Sequence, residues 1–239
     1  MCSRRDRVID SFLFSPDRLR SRFLAHQSVE LIPKRNHLRP KLTCPIRRVH
    51  IVQMAARLLR GPFTVEMYHK LGELGVFDED DRVELLDGQI VEMTPIGQAH
   101  WMTVFRLSNL LMRHSTSHVG VSTQSSLVLS ERWEPEPDIA VLRRLEGFGG
   151  AWLPAARDVI LVIEVADTSL ERDRDIKIPR YAYEGIAEAW LIDVHAETVT
   201  CYRGPTPEGY AEAVVVKRGE TLRPTQWPSV AISVDEVFG

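Results

Sequence analysis

Val159-Ile160-Leu161-Val162-Ile163-Glu164-Val165 is the most apolar run in the chain, and its length and boundaries read as a central strand buried on both faces. Leu170 to about Glu184 follows as a polar helix that Gly185 ends, and Ala189-Trp190-Leu191-Ile192-Asp193 is a further buried strand. Strand, helix and strand make a βαβ-like unit over 159–193, expected to cross over right-handedly.

Outward from this unit the pattern alternates between hairpins and helices. Thr64 can cap a helix running to about Leu74, with Gly75 near its end. Arg82-Val83-Glu84-Leu85-Leu86 and Gln89-Ile90-Val91-Glu92-Met93 flank Asp87-Gly88, a two-residue hairpin turn. Gln98 to about His114 carries Met102, Phe105, Leu107, Leu110 and Leu111 at helical spacing. Val119–Val121, Ser126–Leu129 and Pro137–Leu142 read as strands, and Gly147–Pro154 as a loop. Thr198–Tyr202 and Ala211–Val216 form an antiparallel pair around a Gly204–Gly209 turn, and Val234–Phe238 packs back on the body. The fold class is α/β: a central mixed sheet flanked by helices, with a C-terminal antiparallel β extension.

The chain has 239 residues, 44% of them hydrophobic, enough for one sizeable core, or for one domain plus an appendage. No apolar window approaches the roughly 20 residues of a membrane span, and no long apolar run follows the basic start, so neither a span nor a secretory signal is expected. Cys2, Cys44 and Cys201 are far apart with no CxxC pair, which disfavours a zinc site and fits a reducing, cytoplasmic setting. Residues 1–60 hold 14 Lys+Arg and 4 Asp+Glu, a net of +10, which leaves 16 and 29 in residues 61–239, a net of −13. The first segment, broken by Pro33, Pro40 and Pro45, reads as a disordered or non-native leader with a true start at Met54, or as a basic nucleic-acid-binding arm. The folded body, 61–239, is acidic, which weighs against a surface broadly coated for DNA.

Three carboxylates stand on expected strands: Glu84 mid-strand, Asp138 opening its strand after Pro137, and Glu164 near the end of the aliphatic run. A carboxylate on a central strand is costly to bury unless paired, hydrogen-bonded or bound to a cation. Three converging from separate strands of one sheet make an oxygen-rich site for Mg²⁺, which polarises a phosphoryl group and lowers the pKa of a bound water. Lys177, on the following helix, could orient the attacking water or stabilise phosphorane charge. An i,i+4 pair with Asp173 would equally explain that lysine. Tyr181 shares its helix face.

These residues carry a resemblance. Arg-Val-Glu-Leu-Leu-Asp-Gly (82–88), Met-Thr-Pro-Ile-Gly-Gln-Ala-His (93–100), Glu-Pro-Asp-Ile-Ala-Val (136–141) and Leu-Val-Ile-Glu-Val (161–165) occur in that order. Ser169, Asp173, Lys177, Tyr181 and Ala-Trp-Leu-Ile-Asp (189–193) follow. Together, over residues 63–239, they resemble the Uma-two family, classed as restriction endonucleases within the PD-(D/E)XK nuclease superfamily. The resemblance implies a restriction-endonuclease-like core in which Asp138 and Glu164 bind Mg²⁺ (Mn²⁺ substituting) and Glu84 assists. The superfamily usually places its lysine two residues after the second acid, where this chain has Ala166, so the resemblance implies a lysine moved to Lys177. His100 and Gln124 match recurrent polar positions, and Asp173 and Tyr181 would support the site from behind.

The implied function is metal-dependent hydrolysis of DNA phosphodiester bonds, by a chain that could act as a homodimer on duplex DNA. Two alternatives stay open: a non-catalytic binding or assembly module on the same fold, and a metal-dependent hydrolase of another phosphoester. No GxSxG, P-loop, GxGxxG after a strand, or HExxH competes. Trp190, Tyr181, Tyr183 and Phe105 sit at core-like positions and are not read as base-stacking platforms.

Overall fold

Thr64 is extended and its hydroxyl oxygen accepts the Met67 N–H at 3.2 Å, so helix α1 (Val65–Glu73) starts where a capping residue permits it. Strands β1 (Val83–Leu86) and β2 (Gln89–Glu92) pair antiparallel across Asp87-Gly88, whose φ values of 48° and 74° are the left-handed pair that a tight hairpin turn requires. A Cβ on Gly88 would stand 2.3 Å from the Pro62 Cβ. Gly88→Ala is therefore expected to cost about 1–3 kcal/mol, read as a lowered melting temperature. Wild-type stability in that variant would contradict the close approach.

The computed structural model describes residues 62–78, 80–143 and 153–239, which lie within one compact unit. The reading of residues 1–60, with Cys2, Cys44 and the start at Met54, lies outside the described residues, as does most of the expected Gly147–Pro154 loop.

Helix α2 (Gln98–Met112) leads into strands β3 (Val119–Thr123), β4 (Ile139–Arg143) and β5 (Val159–Ala166). A continuous helical run follows: α3 (Leu170–Arg172), a π-helical turn (Asp173–Lys177) and α4 (Ile178–Tyr183). Then come β6 (Glu188–Asp193), β7 (Thr198–Thr206), β8 (Gly209–Lys217), the short β9 (Thr221–Leu222) and β10 (Ile232–Ser233), and α5 (Val234–Phe238). β3 to β8 form one six-stranded sheet in sequence order, with β5 and β6 parallel and all other neighbours antiparallel. Parallel pairing of β5 with β6 is what the helical run between them makes possible.

Every residue of β5 is buried, as its apolar run predicts. Leu161, Ile163 and Val165 point to the layer built from α2 (Val104, Leu107, Leu111) and from the C-terminal Trp227, Val230, Val234 and Val237. Val162 and Ala166 point to the opposite layer with Ile178, Tyr181 and Ile186. Glu164 has the parity of the second set, so its carboxylate faces the helical run. Among the described residues no helix is long and apolar enough to cross a membrane.

Four sequence expectations change. Ser126–Leu129 is no strand: Leu127 and Val128 donate to the carbonyls of Pro135 and Pro154 in an irregular segment. The β7–β8 turn is Pro207-Glu208, because both strands run further than their apolar cores suggest. Phe105 lies one residue past the buried Val104, about 100° round α2, and is half-exposed, stacked on Trp101 at 5.4 Å; Tyr183 is exposed as well. β1 and β2 form a separate two-stranded sheet, so Glu84 does not share the main sheet with Asp138 and Glu164.

Candidate active site

The β4–β5 register pairs Ile139 with Ile163. One step further along the same antiparallel ladder, Asp138 stands opposite Glu164, and like charges across a ladder are unfavourable without a counter-charge. Asp138 accepts the Val165 N–H at 2.9 Å on one oxygen, and its other oxygen is 3.0 Å from His100 Nε2. The Gln124 N–H holds the Asp138 carbonyl at 3.1 Å from a left-handed backbone, but the Gln124 side chain is exposed and outside the cleft described below.

The counter-charge is Lys177. Its ammonium lies 2.9 Å from Glu164 Oε1 and 3.1 Å from Glu84 Oε2, and the side chain is only 2% exposed. Lysines on polar helices are ordinarily solvated, and burial alone would lower this one's pKa. The charges of Glu164, Glu84 and Asp173 outweigh burial and hold it above the ordinary lysine range. Asp173 does not make the i,i+4 bond with Lys177 that a regular helix would offer; its carboxylate accepts from Ser169 Oγ at 2.5 Å. The Tyr181 hydroxyl donates to Glu164 Oε1 at 2.5 Å. Burial raises the Glu164 carboxyl above the usual carboxylate range, Lys177 opposes the rise, and Asp173 and Asp138 add to it. Burial likewise raises Asp173.

Glu84 reaches this cluster from the hairpin. Leu85 exchanges both backbone hydrogen bonds with Glu134, and Glu84 Oε2 accepts the Glu136 N–H at 3.3 Å, so β1 lies along the segment that leads into Asp138. Its Oε1 is buried without a hydrogen-bond donor.

A cleft opens over this arrangement. His100, Asp138, Glu164, Asp173 and Lys177 line it, together with the 93–97 loop, the 167–169 loop, Arg82 and Arg172. Glu84 and Tyr181 are not in its wall; they stand behind Lys177 and Glu164. Gly97 permits the loop to close in, because a Cβ there would meet Asp167 Oδ2 at 2.3 Å. The enclosed part of the cleft is about 30 Å³, room for roughly one water, and the remainder opens to solvent.

Among the described residues no three His, Cys, Asp or Glu side chains form a ready metal cage. Asp138 and Glu164 nevertheless fit Mg²⁺. Their donors are hard oxygens, they meet at one small cavity, and Mg²⁺ takes one or two carboxylates while keeping its waters. Glu84, expected as a third ligand, is placed instead as the second carboxylate of the buried lysine. Arg172 carried no sequence signal, since it lies five residues before Lys177, which is off-face in a regular helix. The π turn, with Ile178 N–H donating to the Asp173 carbonyl five residues back, brings such residues to one side.

A family model described as "Uma2: Putative restriction endonuclease" matches residues 65–235. The crystal structure of a "putative nuclease belonging to DUF820" from Anabaena variabilis superposes with a TM-score of 0.61 at 18% identity, covering 74% of this chain and 98% of that one. That likeness is one of fold. No curated protein matches the sequence.

Proposed function

This chain belongs to the Uma-two family, and from that premise we propose that it is a metal-dependent endonuclease hydrolysing DNA phosphodiester bonds. The observation that carries the reading is the pairing of Asp138 with Glu164 at one cavity beside a buried, charged Lys177. A structural ion pair needs no opening to solvent, and a purely structural cluster needs no second carboxylate facing the first.

Asp138 and Glu164 are the metal ligands. Mg²⁺ or Mn²⁺ bound there would supply Lewis-acid polarisation of the phosphoryl group and a more acidic water. The chain's own residues set the stage. The Val165 N–H and His100 fix the two oxygens of Asp138. Tyr181 and Lys177 both engage Glu164 Oε1, which turns that carboxylate in one direction. Glu84 anchors Lys177 from behind, so the ammonium points at the cleft, where it neutralises charge building on the phosphoryl oxygens.

Mg²⁺ or Mn²⁺ is expected to stabilise the fold by mass action, by about 2.7 kcal/mol at a hundred times the dissociation constant, read as a raised melting temperature. Asp138→Ala is expected to abolish the rise. A rise retained in that variant would put the metal elsewhere.

The net charge of −13 over residues 61–239 favours one second reading, a binding or assembly module on the nuclease fold. That module would show no metal-dependent cleavage of any DNA.

A further inference from the structure

We propose that Arg172 is the oxyanion anchor of the cleft, a guanidinium that takes two oxygens of the substrate's phosphoryl group. The inference rests on the phosphodiester reading above and adds to it the residue that grips the substrate.

The cations in the cleft wall are not equivalent. Lys177 has both neighbouring carboxylates within 3.1 Å. Arg82 donates to Glu136 at 3.2 Å. Arg172 has no hydrogen-bond acceptor among the described residues: its nearest carboxylate oxygens are 3.8 Å away on Asp173 and 4.0 Å away on Glu84. Those distances are too long for a hydrogen bond. Its Nε is buried and unpartnered, and so is the Glu84 Oε1 that stands 4.0 Å from its Nη2. A buried donor without an acceptor costs free energy that a bound ligand can recover. The Arg172 side chain is 23% exposed and lines the cleft, so a ligand there can reach it.

Geometry selects the ligand class. A guanidinium presents parallel N–H donors that match two oxygens of a phosphoryl or carboxyl group. Glu84 and Asp173 already stand near Arg172 without closing onto it, and their charges position the side chain while leaving its donors open. The π turn sets Arg172 and Lys177 on one side of the helical run, so both cations face the same bound group. A phosphodiester would place its non-bridging oxygens on Arg172 and its developing charge near Lys177.

The test uses inorganic phosphate as probe on the full chain. Melting temperatures of wild type, Arg172→Gln and Arg172→Lys are compared in sodium phosphate and in sodium chloride at matched ionic strength. Phosphate should raise the wild-type melting temperature by several degrees, Arg172→Gln should lose that rise, and Arg172→Lys should keep only part of it. On labelled duplex DNA with Ca²⁺, Arg172→Gln should weaken binding about tenfold and reduce the slope of log affinity against log salt by about one. A merely structural arginine would leave that slope unchanged. No phosphate-induced rise in wild type, or equal rises in wild type and Arg172→Gln, would overturn the assignment. An Arg172-dependent phosphate response in a protein that cleaves no DNA would keep the oxyanion site and discard the endonuclease. Cleavage by Arg172→Gln with wild-type kcat and KM would do the reverse.

Discussion

Lys177→Met lowers the stability of the folded chain by about 3–5 kcal/mol, the expected cost of leaving buried charges without their partner. Glu84 and Glu164 both lean on this ammonium and are themselves almost fully buried. At about 2–4 °C per kcal/mol for a chain of this size, the melting temperature falls on the order of 10 °C. The loss depends on pH. Burial pushes the Glu164 carboxyl above the usual carboxylate range even with Lys177 present, and removing the lysine takes away an opposing pull. The folded state then holds the proton more tightly than the unfolded state, in which the carboxyl titrates near its ordinary 4.5. Stability from this group is therefore greatest below the unfolded value and declines as pH rises from about 4.5 through the folded value. The variant should recover part of its stability in acid. Adding Glu84→Gln to Lys177→Met should also restore part of it, by removing one orphaned charge. A Lys177→Met protein within 1 kcal/mol of wild type at neutral pH would mean that the buried cluster does not depend on its lysine.

On the proposed function, Asp138→Asn is expected to keep the fold and lose DNA cleavage. Asparagine has nearly the same shape, and its carbonyl oxygen can still accept the Val165 N–H that Asp138 accepts at 2.9 Å. What it lacks is the charge that would hold a divalent cation opposite Glu164. Such a cation would contribute several kcal/mol to the transition state, so the cleavage rate should fall by on the order of 10³-fold or more. The melting temperature without metal should move by no more than a few degrees. Retained cleavage would remove Asp138 from the site, and a collapse of stability equal to that of Lys177→Met would make its role structural.

The parts of the fold that sequence reveals are those governed by local rules. The aliphatic run at 159–165, the Thr64 cap and the Asp87-Gly88 turn each depend on a few neighbouring residues, and each forms as expected. The meeting of Asp138, Glu164 and Lys177 in one cleft also follows the expected order of elements. What the sequence conceals is governed by contacts between distant segments. Ser126–Leu129 has a strand-like composition, yet its hydrogen bonds go to carbonyls eight and 26 residues onward, at Pro135 and Pro154. Glu84 looks equivalent to the other two acids in the linear pattern. Only the separation of the β1–β2 hairpin from the main sheet turns it into the support of Lys177 rather than a third group in the cleft. Phe105 fits an apolar helical stripe but sits just off its buried centre, and Arg172 becomes legible only once a π turn replaces the regular helical period.

The most direct measurement is cleavage of supercoiled plasmid, linear duplex and single-stranded DNA by the purified protein, with Mg²⁺, with Mn²⁺ and with chelator. The expected result is nicked or linear product that requires metal and disappears in Asp138→Asn. Intact DNA in every lane, from a protein whose melting temperature still rises with Mg²⁺ through Asp138, would contradict an endonuclease and leave the cleft as a metal-binding module.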